Sequence, residues 1–218
     1  MRNVMIAAPS YDGKVEVWHA SALSETCKMG LAKNINIFAI YMSYDSLVQR
    51  ARNDIIQLAL KSNVDDLVFI DCDVDWTPED FFKLLDHNVD VVGGTYRRKS
   101  DDETYTLKLL GDYVVQDNGL VEVDGIGTGF LRISKRAMRK IWSVSEEYRE
   151  PHKADPIRMV FDIGVVNGEL VSEDNMFCAK WKDLDEKIYL DPNINPGHTG
   201  IKRWTGNFSE WIKVIKGL

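Results

Sequence analysis

The chain has 218 residues, of which 44% are hydrophobic and 28% are charged. This is the composition of an ordinary globular domain, and it excludes wholesale disorder, a collagen-like repeat and a disulfide-rich miniature scaffold. The 27 Lys and Arg residues against 34 Asp and Glu residues give a formal net charge of −7. Bulk electrostatics therefore argue against a nucleic-acid partner, and none is predicted.

Cysteine usage and targeting patterns indicate the compartment. Cys27, Cys72 and Cys178 form an odd, widely spaced set, which argues against a disulfide framework or a zinc knuckle and predicts reduced thiols. Asp12 and Gly13 end the first apolar run too early for a signal peptide. No stretch approaches the ~18 apolar residues of a membrane span. We therefore expect a soluble, cytoplasmic protein.

The first half of the sequence alternates predicted strands and helices. Apolar runs predict strands at Val4–Ala8, Ile35–Tyr41, Leu67–Ile70 and Val89–Val92. Helices are predicted at Ser21–Lys33, from Leu47 to about Ser62 with Asp45 or Ser46 as N-cap, and from Pro78 onward after Thr77. This order predicts an α/β fold with an open, mainly parallel sheet and helices on both faces. Ligands of such sheets bind at the carboxyl ends of the strands.

The second half is less regular. Strands are predicted at Tyr105–Leu110, Tyr113–Val115 and Phe130–Ile133, with Ile188–Leu190 as the last strand. Helices are predicted at Lys135–Trp142, Ser172–Lys182 and Phe208–Ile215. The charged segments Arg97–Thr104 and Tyr148–Asp155 are predicted to be solvated loops, with a lid or an acceptor-side element as the alternative.

The sharpest feature is a cluster of carboxylates. Asp71, Asp73 and Asp75 follow a buried strand at alternating positions, and alternate residues of an extended chain point to the same side. Three carboxylates on the same side of one short segment repel one another, so a bound cation should neutralise them. Oxygen ligands in this number suit Mg²⁺ or Mn²⁺. The alternative is a solvated acidic turn. The position directly after a buried strand favours the metal site.

Two other segments carry weaker signals. Arg52 lies on the helix before that strand, where it either reaches the same cleft as a phosphate ligand or is a solvated charge. The glycine-rich segment Asp124–Gly129 is not G-x-G-x-x-G and precedes a strand, which excludes a dinucleotide fingerprint. Its glycines would admit a ligand close to the backbone, and a plain tight turn is an equally good explanation.

The late part of the chain adds an acidic helix start and a histidine. Glu173 and Asp174 follow Ser172, which is ordinary helix-start chemistry, or else projects a carboxylate into a cleft as a base or positioning group. His198 lies between two glycines, with Lys202 and Arg203 after it. It is either a structural histidine or a ligand that meets the acidic cluster in space.

Together, the strand ending in D-x-D, the glycine-rich segment, the Ser172-Glu173-Asp174 helix start and His198-Thr199-Gly200 resemble the GT-A class of nucleotide-sugar glycosyltransferases. Within that class the chain is similar to the N-terminal domain of a large chlorella-virus glycosyltransferase. The resemblance implies a GT-A (Rossmann-like) open mixed sheet in a single domain. Its nucleotide-binding half would span about 1–95, and its acceptor-binding, metal-completing half about 96–218.

The resemblance also implies roles for individual residues. The implied metal ligands are Asp71, Asp73 and His198, with Asp75 as a candidate third carboxylate. The implied donor-binding residues are Pro9, Ser10, Tyr11, Asp12, Arg52, Asp71, Cys72, Gly127 and Lys202. Glu173 and Asp174 match the E-D pair, whose Asp is the base in inverting members; in retaining members the same region orients donor and acceptor. This chain has Arg203 where the related tail often has Pro.

These features predict a glycosyltransferase of the hexosyltransferase type. It would move a sugar from a UDP-sugar donor to a glycan or glycoprotein acceptor, with Mn²⁺ or Mg²⁺ and with retention of configuration. A nucleotidyltransferase acting on a sugar phosphate is the first alternative, but it needs a glycine-rich basic loop where Pro9–Lys14 has one Gly and one Lys. A non-catalytic module that binds nucleotide sugars is the second. The chain could also be one domain of a longer protein under any of these three functions.

Overall fold

A computed structural model describes residues 1–151 and 153–218. The helices are α1 (Val17–Ala32), α2 (Val48–Lys61), α3 (Pro78–Asp86), α4 (Lys135–Val144), α5 (Glu173–Lys182) and α6 (Phe208–Lys216). The strands of the first half are β1 (Arg2–Ser10), β2 (Ile35–Ser43), β3 (Asp66–Ile70), β4 (Val74–Asp75) and β5 (Val91–Gly93). Those of the second half are β6 (Leu107–Leu109), β7 (Val121–Ile126), β8 (Phe130–Ser134), β9 (Glu147–Tyr148), β10 (Ile157–Arg158), β11 (Gly164–Val166), β12 (Glu169–Val171), β13 (Ile188–Leu190), β14 (Gly197–Thr199) and β15 (Arg203–Trp204).

An eight-stranded sheet in the order β2-β1-β3-β8-β5-β13-β7-β6 organises the molecule. Strands β2, β1 and β3 pair in parallel, as do β5 and β13. Strands β8 and β7 are antiparallel to both of their neighbours. The other strands therefore all run in one direction, and the predicted open, mixed, mainly parallel sheet is confirmed.

Both faces of the sheet are covered by helices. On β1, Met5 and Ala7 belong to the core under α2, α4 and α5, whereas Val4 and Ile6 belong to the core under α1 and α3. This alternation follows from the period of two in an extended strand. All four side chains are fully buried, which explains why the strand is apolar throughout and confirms the prediction of helices on both faces.

The predicted start of α3 is correct, whereas the predicted N-cap of α2 is not. Thr77 accepts a hydrogen bond from the Asp80 amide at 3.1 Å and caps α3, as predicted. Asp45 or Ser46 was predicted to cap α2, but the N-cap residue is Leu47, without a side-chain cap. The Asp45 carboxylate instead accepts from the Leu47 amide at 2.9 Å and pairs with Arg50, so it lies beside the first turn of α2 without capping it.

The second half differs from its prediction in several elements. Tyr113–Val115 is not a strand, because only Val115 forms an isolated bridge, with Val121. Strand β7 was not predicted, since the charged and glycine residues at its end conceal the alternation. Ile188–Leu190 forms β13 as predicted, but two further strands follow it. Of the predicted loop Tyr148–Asp155, residue 152 lies outside the described residues.

Two further predictions concern thiols and membranes. Cys27, Cys72 and Cys178 are all free, in agreement with the predicted lack of disulfides. Within the described ranges, no helix has both the length and the apolar character needed to cross a bilayer.

The carboxylate of Glu186 ties the segment after α5 to α4. Arg136 donates to its two oxygens at 2.9 and 2.7 Å, and Lys140 donates at 2.6 Å. The Arg136 hydrogen bonds, against a smaller effect of burial, lower the pKa of Glu186 to about 2. The folded state therefore gains stability above the ordinary pKa of 4.5 and loses it as the pH falls towards 2.

We expect Glu186→Gln to lower the urea midpoint of unfolding at neutral pH. The difference from the wild type should close as the pH falls from 4.5 to about 2, because protonation then removes the same charge from the wild-type protein. Urea melts at a series of pH values measure this. A difference that stays constant down to the lowest pH would contradict the assignment.

Candidate functional site

A cleft of about 630 Å³ opens where β1 and β3 end. Its lining includes Pro9, Ser10, Tyr11, Asp12, Arg52, Asp71, Cys72 and Asp73. The carboxyl ends of parallel strands meet at this edge of the sheet, which explains why the loop after β1 faces the acidic turn after β3. The structure thus brings together most of the residues that the resemblance implied for donor binding. We call this the first cleft.

Arg52 joins two acidic segments at the floor of the first cleft. Its NH2 group donates to Asp71 Oδ1 at 2.9 Å, and its Nε lies 3.5 Å from Glu173 Oε1. Burial opposes its charge, but the two carboxylates outweigh burial and raise the pKa of Arg52. Its Nε and NH1 are buried without a hydrogen-bond partner. Buried donors in a cleft can be satisfied by a bound ligand, so Arg52 can both orient Glu173 and bind an anion.

Asp73 forms the far wall of the first cleft. Lys99 donates to its Oδ2, and His198 Nε2 lies 3.7 Å from the same oxygen. Burial opposes ionisation, but the contacts with His198 and Lys99 outweigh it and lower the pKa of Asp73 to about 2. Asp73 is therefore a carboxylate at neutral pH. We call Asp73, Lys99 and His198 the junction.

Strand pairing places His198 at the junction. His198 on β14 is opposite Val74 on β4, and the Thr199 amide donates to the Asp73 carbonyl at 2.8 Å. His198 Nδ1 lies 2.9 Å from the Arg97 carbonyl. A carbonyl only accepts, so Nδ1 carries a proton and donates it to the Arg97 carbonyl, while Nε2 faces Asp73.

Asp75 has a different environment from Asp73. Arg203 donates to its two oxygens, at 2.9 Å from Nε and 2.5 Å from NH2. A Cβ at Gly197 would contact the Asp75 carboxylate and lie 2.7 Å from the Arg203 guanidinium, so only glycine leaves room for this pair. The structure does not bring Asp75 to the junction. Its pair with Arg203 instead fastens β15 and β14 onto β4.

A buried histidine supports the acidic turn from below. His19 Nδ1 donates to the carbonyls of Asp71 and Val74, at 3.1 and 2.9 Å, and Nε2 accepts from the Tyr41 hydroxyl at 2.7 Å. Burial lowers the pKa of His19 despite these hydrogen bonds. The neutral ring thus holds the turn in shape. The sequence analysis missed His19, because a single histidine within a helix carries no signal.

A second cleft of about 620 Å³ lies on the other side of the junction, lined by Lys99, His198, Gly127, Asp174 and Asn175 among others. Asp174 Oδ1 accepts from the Asn175 amide at 2.8 Å and from the Ser172 hydroxyl. The structure therefore places Asp174 in a cleft, but Gly127 lies in the second cleft rather than the first. Asn175 was missed, since its position in the helix start resembled ordinary capping chemistry.

Lys202 is separated from the first cleft. Its ammonium pairs with Asp101 on the 97–104 loop, and the side chain is half exposed. Lys99, on the same loop, takes the position beside Asp73 instead. The sequence analysis treated that loop as solvated. Its composition, rich in both signs of charge, gave no indication of which lysine would reach the acidic turn.

The donor set at the junction can be tested against a divalent cation. Among residues 1–151 and 153–218, no group of three or more His, Cys, Asp or Glu side chains is placed to hold a metal ion. Asp71 pairs with Arg52 and Asp75 with Arg203. Asp73 Oδ2, however, is contacted by the Lys99 ammonium and lies 3.7 Å from His198 Nε2. Carboxylate and imidazole are ligands that suit Mn²⁺, so Asp73 and His198 are the two side chains here whose chemistry fits such a metal.

Comparisons with known proteins show the class of fold. No protein-family model and no curated protein sequence matches the chain. The solved structure of A197 from STIV aligns with a TM-score of 0.56 and 20% identity, covering 92% of this chain and 86% of that one. The chain therefore shares its α/β fold with A197.

Two further solved structures are more distant. A glycosyltransferase involved in the glycosylation of the major capsid of PBCV-1 aligns with a TM-score of 0.34 and 18% identity, over 65% of this chain and 66% of that one. Mannose-1-phosphate geranyltransferase from Thermus thermophilus aligns with a TM-score of 0.40 and 10% identity, over 66% of this chain and 61% of that one. Likenesses at this level carry no argument about function.

Proposed function

We propose that the chain is a glycosyltransferase that transfers a sugar from a UDP-sugar to a glycan or glycoprotein acceptor. The observation that carries this proposal is the meeting of two clefts at Asp73, Lys99 and His198. The first cleft would take the nucleotide and the second the acceptor. The donor sugar would then lie at the junction, where the reacting atoms can be brought together.

The first cleft suits a nucleoside diphosphate in size and chemistry. Its volume of about 630 Å³ lies within the range typical of small-molecule sites. The NH1 group of Arg52 has no hydrogen-bond partner among the described residues and could donate to a phosphate or a hydroxyl, while Nε stays 3.5 Å from Glu173. Tyr11 is exposed at the mouth of the cleft, where an aromatic ring can stack on a base.

The charge of the first cleft supports a requirement for a divalent cation. Its acidic lining residues are Asp12, Glu16, Asp45, Asp71 and Asp73, and its basic ones are Lys14 and Arg52. A diphosphate would be repelled from such a lining unless a cation joined it. We propose that Asp73 and His198 hold Mn²⁺ or Mg²⁺. When bound, the metal would stabilise the negative charge that develops on the leaving diphosphate.

Asp174 and Glu173 have separate roles in this proposal. The carboxylate of Asp174 is fixed by the Asn175 amide and the Ser172 hydroxyl, so that it can orient an acceptor hydroxyl in the second cleft. Glu173 lies against Arg52 and acts as a positioning residue for its guanidinium. In the retaining outcome that we propose, these two carboxylates would orient the donor and the acceptor.

Calorimetric titration of UDP with and without Mn²⁺ tests the proposal. We expect UDP to bind only when Mn²⁺ is present and to bind more tightly than GDP or CDP. UDP-sugars would then be screened for hydrolysis, and NMR of the transfer product would read its anomeric configuration. An inverted product would contradict retention.

Other outcomes of the same series favour the alternatives. Pyrophosphate release from a nucleoside triphosphate would indicate a nucleotidyltransferase. The pairing of Lys14 with Asp12 disfavours that activity, because it engages the lysine of the loop after β1. UDP-sugar binding with no Mn²⁺-dependent hydrolysis would indicate a binding module. If none of UDP, GDP and CDP bound under any condition, the glycosyltransferase proposal would be overturned.

A further inference from the structure

The ammonium of Lys99 lies at the position of a cation. It donates to Asp73 Oδ2, and the same oxygen lies 3.7 Å from His198 Nε2. A metal ion held by these two side chains would need the space beside Oδ2 that the ammonium fills. Lys99 and a metal ion therefore compete for the junction.

The lysine is seated in this position by its surroundings. A Cβ at Gly200 would lie 3.1 Å from Lys99 Cδ and 3.1 Å from the Trp204 ring, so the missing side chain leaves room for the aliphatic stem. The Lys99 side chain is 35% exposed, so about two thirds of it is covered by its neighbours. The fold thus delivers this particular ammonium to Asp73.

Two carboxylates near the junction already have cationic partners. Asp101, on the same loop, pairs with Lys202, and Asp71 pairs with Arg52. An ammonium displaced from Asp73 would remain at the meeting point of the two clefts. An anion bound there could then accept a hydrogen bond from it.

We propose that Lys99 occupies the cation position at Asp73 in the unloaded protein and turns to the donor diphosphate when a divalent cation binds. This inference rests on the proposed function. It makes Lys99 a diphosphate-binding residue and couples the two ligands. A metal ion that binds alone must displace the ammonium of Lys99 from Asp73. When a diphosphate is also bound, the displaced ammonium gains a new partner. Each ligand therefore raises the affinity for the other, by the same factor.

Substitution of Lys99 separates the two parts of this coupling. Lys99→Met should bind Mn²⁺ alone about five- to tenfold more tightly than the wild type, the worth of one partly buried charge-assisted contact. At saturating Mn²⁺ it should bind UDP about five- to tenfold more weakly, for the same reason. Calorimetry with Mn²⁺ alone, and with UDP at fixed Mn²⁺, measures both.

Matched variants separate charge from loop structure. Lys99→Arg keeps the charge and should retain a wild-type affinity for Mn²⁺. Lys187→Met removes an exposed lysine that pairs with Glu122, outside both clefts, and should change neither titration. Lys99→Gln is a second neutral variant, which keeps the test available if the methionine variant is poorly folded.

The outcomes distinguish this inference from the proposed function. An unchanged or weaker affinity for Mn²⁺ in both neutral variants would overturn the inference, even if UDP still binds the wild type. UDP binding that is independent of Mn²⁺ and of Lys99 would also overturn it. A gain in Mn²⁺ affinity without UDP binding by any variant would support the occupancy of Asp73 by Lys99 and overturn the proposed function.

Discussion

Asp73→Asn is expected to lower the Mn²⁺-dependent turnover of the UDP-sugar by about 10²-fold or more, the usual cost of removing a preorganised electrostatic group. The amide has nearly the same shape as the carboxylate, so the turn after β3 should fold unchanged. What is lost is the negative charge that faces Lys99 and His198. UDP calorimetry should show that the Mn²⁺ dependence of binding is lost as well.

A control with the same chemical change shows whether the loss of turnover comes from the junction or from the loss of any carboxylate charge. Asp155 carries an exposed carboxylate that pairs with Lys61 on α2, away from both clefts. Asp155→Asn should leave turnover unchanged. If Asp73→Asn also retained full turnover and Mn²⁺ dependence, the junction would not be the reaction centre.

Phe69→Ala is expected to destabilise the fold by about 3–5 kcal/mol, the usual cost of deleting a buried aromatic ring. Phe69 is fully buried on β3, and its ring packs edge-to-face on Phe161 at a centroid distance of 5.5 Å. The Arg52 guanidinium also lies 5.2 Å from the Phe69 ring centre. The cavity would therefore open directly below the floor of the first cleft.

Urea unfolding of Phe69→Ala and Phe69→Leu measures this prediction. The leucine variant refills much of the volume and should lose clearly less stability than the alanine variant. Equal losses in the two variants would show that the aromatic contact with Phe161, rather than the filled volume, dominates the energy at this position.

The elements that sequence patterns predicted well carry strong local signals. The four apolar residues Leu67–Ile70 followed by Asp71 predict a buried strand that ends at a cleft, and β3 has this position. Thr77 and Pro78 mark the start of α3 through a side-chain cap and a fixed φ. Such features depend on a few adjacent residues, so no tertiary information is needed to find them.

Asp75 does not lie with the other two carboxylates, for a local reason. The Val74 amide donates to the Asp71 carbonyl at 2.9 Å, which makes a turn of the segment that was treated as extended. Asp71 and Asp73 still line the same cleft, but Asp75 does not share their side. Asp71 faces Arg52, and Asp75 faces Arg203. A turn closed by one backbone hydrogen bond leaves no trace in the spacing of acidic residues.

The remaining parts of the candidate site depend on distant contacts. The link between Arg52 and Glu173 joins α2 to the start of α5, and nothing in either segment indicates the other. Strand β14 is three residues long and contains Gly197, so it lacks the apolar alternation by which strands are predicted. The stem of Lys99 passes close to Gly200 on its way to Asp73, and such a contact is a property of packing rather than of sequence pattern.

A backbone amide in the short sheet β15-β14-β4 can be used to measure local opening of the structure at the junction. The Thr199 amide donates to the Asp73 carbonyl at 2.8 Å, and this hydrogen bond exists only while β14 rests on β4. The exchange of that one amide proton with solvent deuterium therefore reports how often the β14 backbone, which carries His198, separates from Asp73. A ligand that bridges the two side chains must slow this exchange, whatever its chemical identity. The exchange rate of the Thr199 amide would thus show whether a ligand is bound at the junction, without any assay of catalysis.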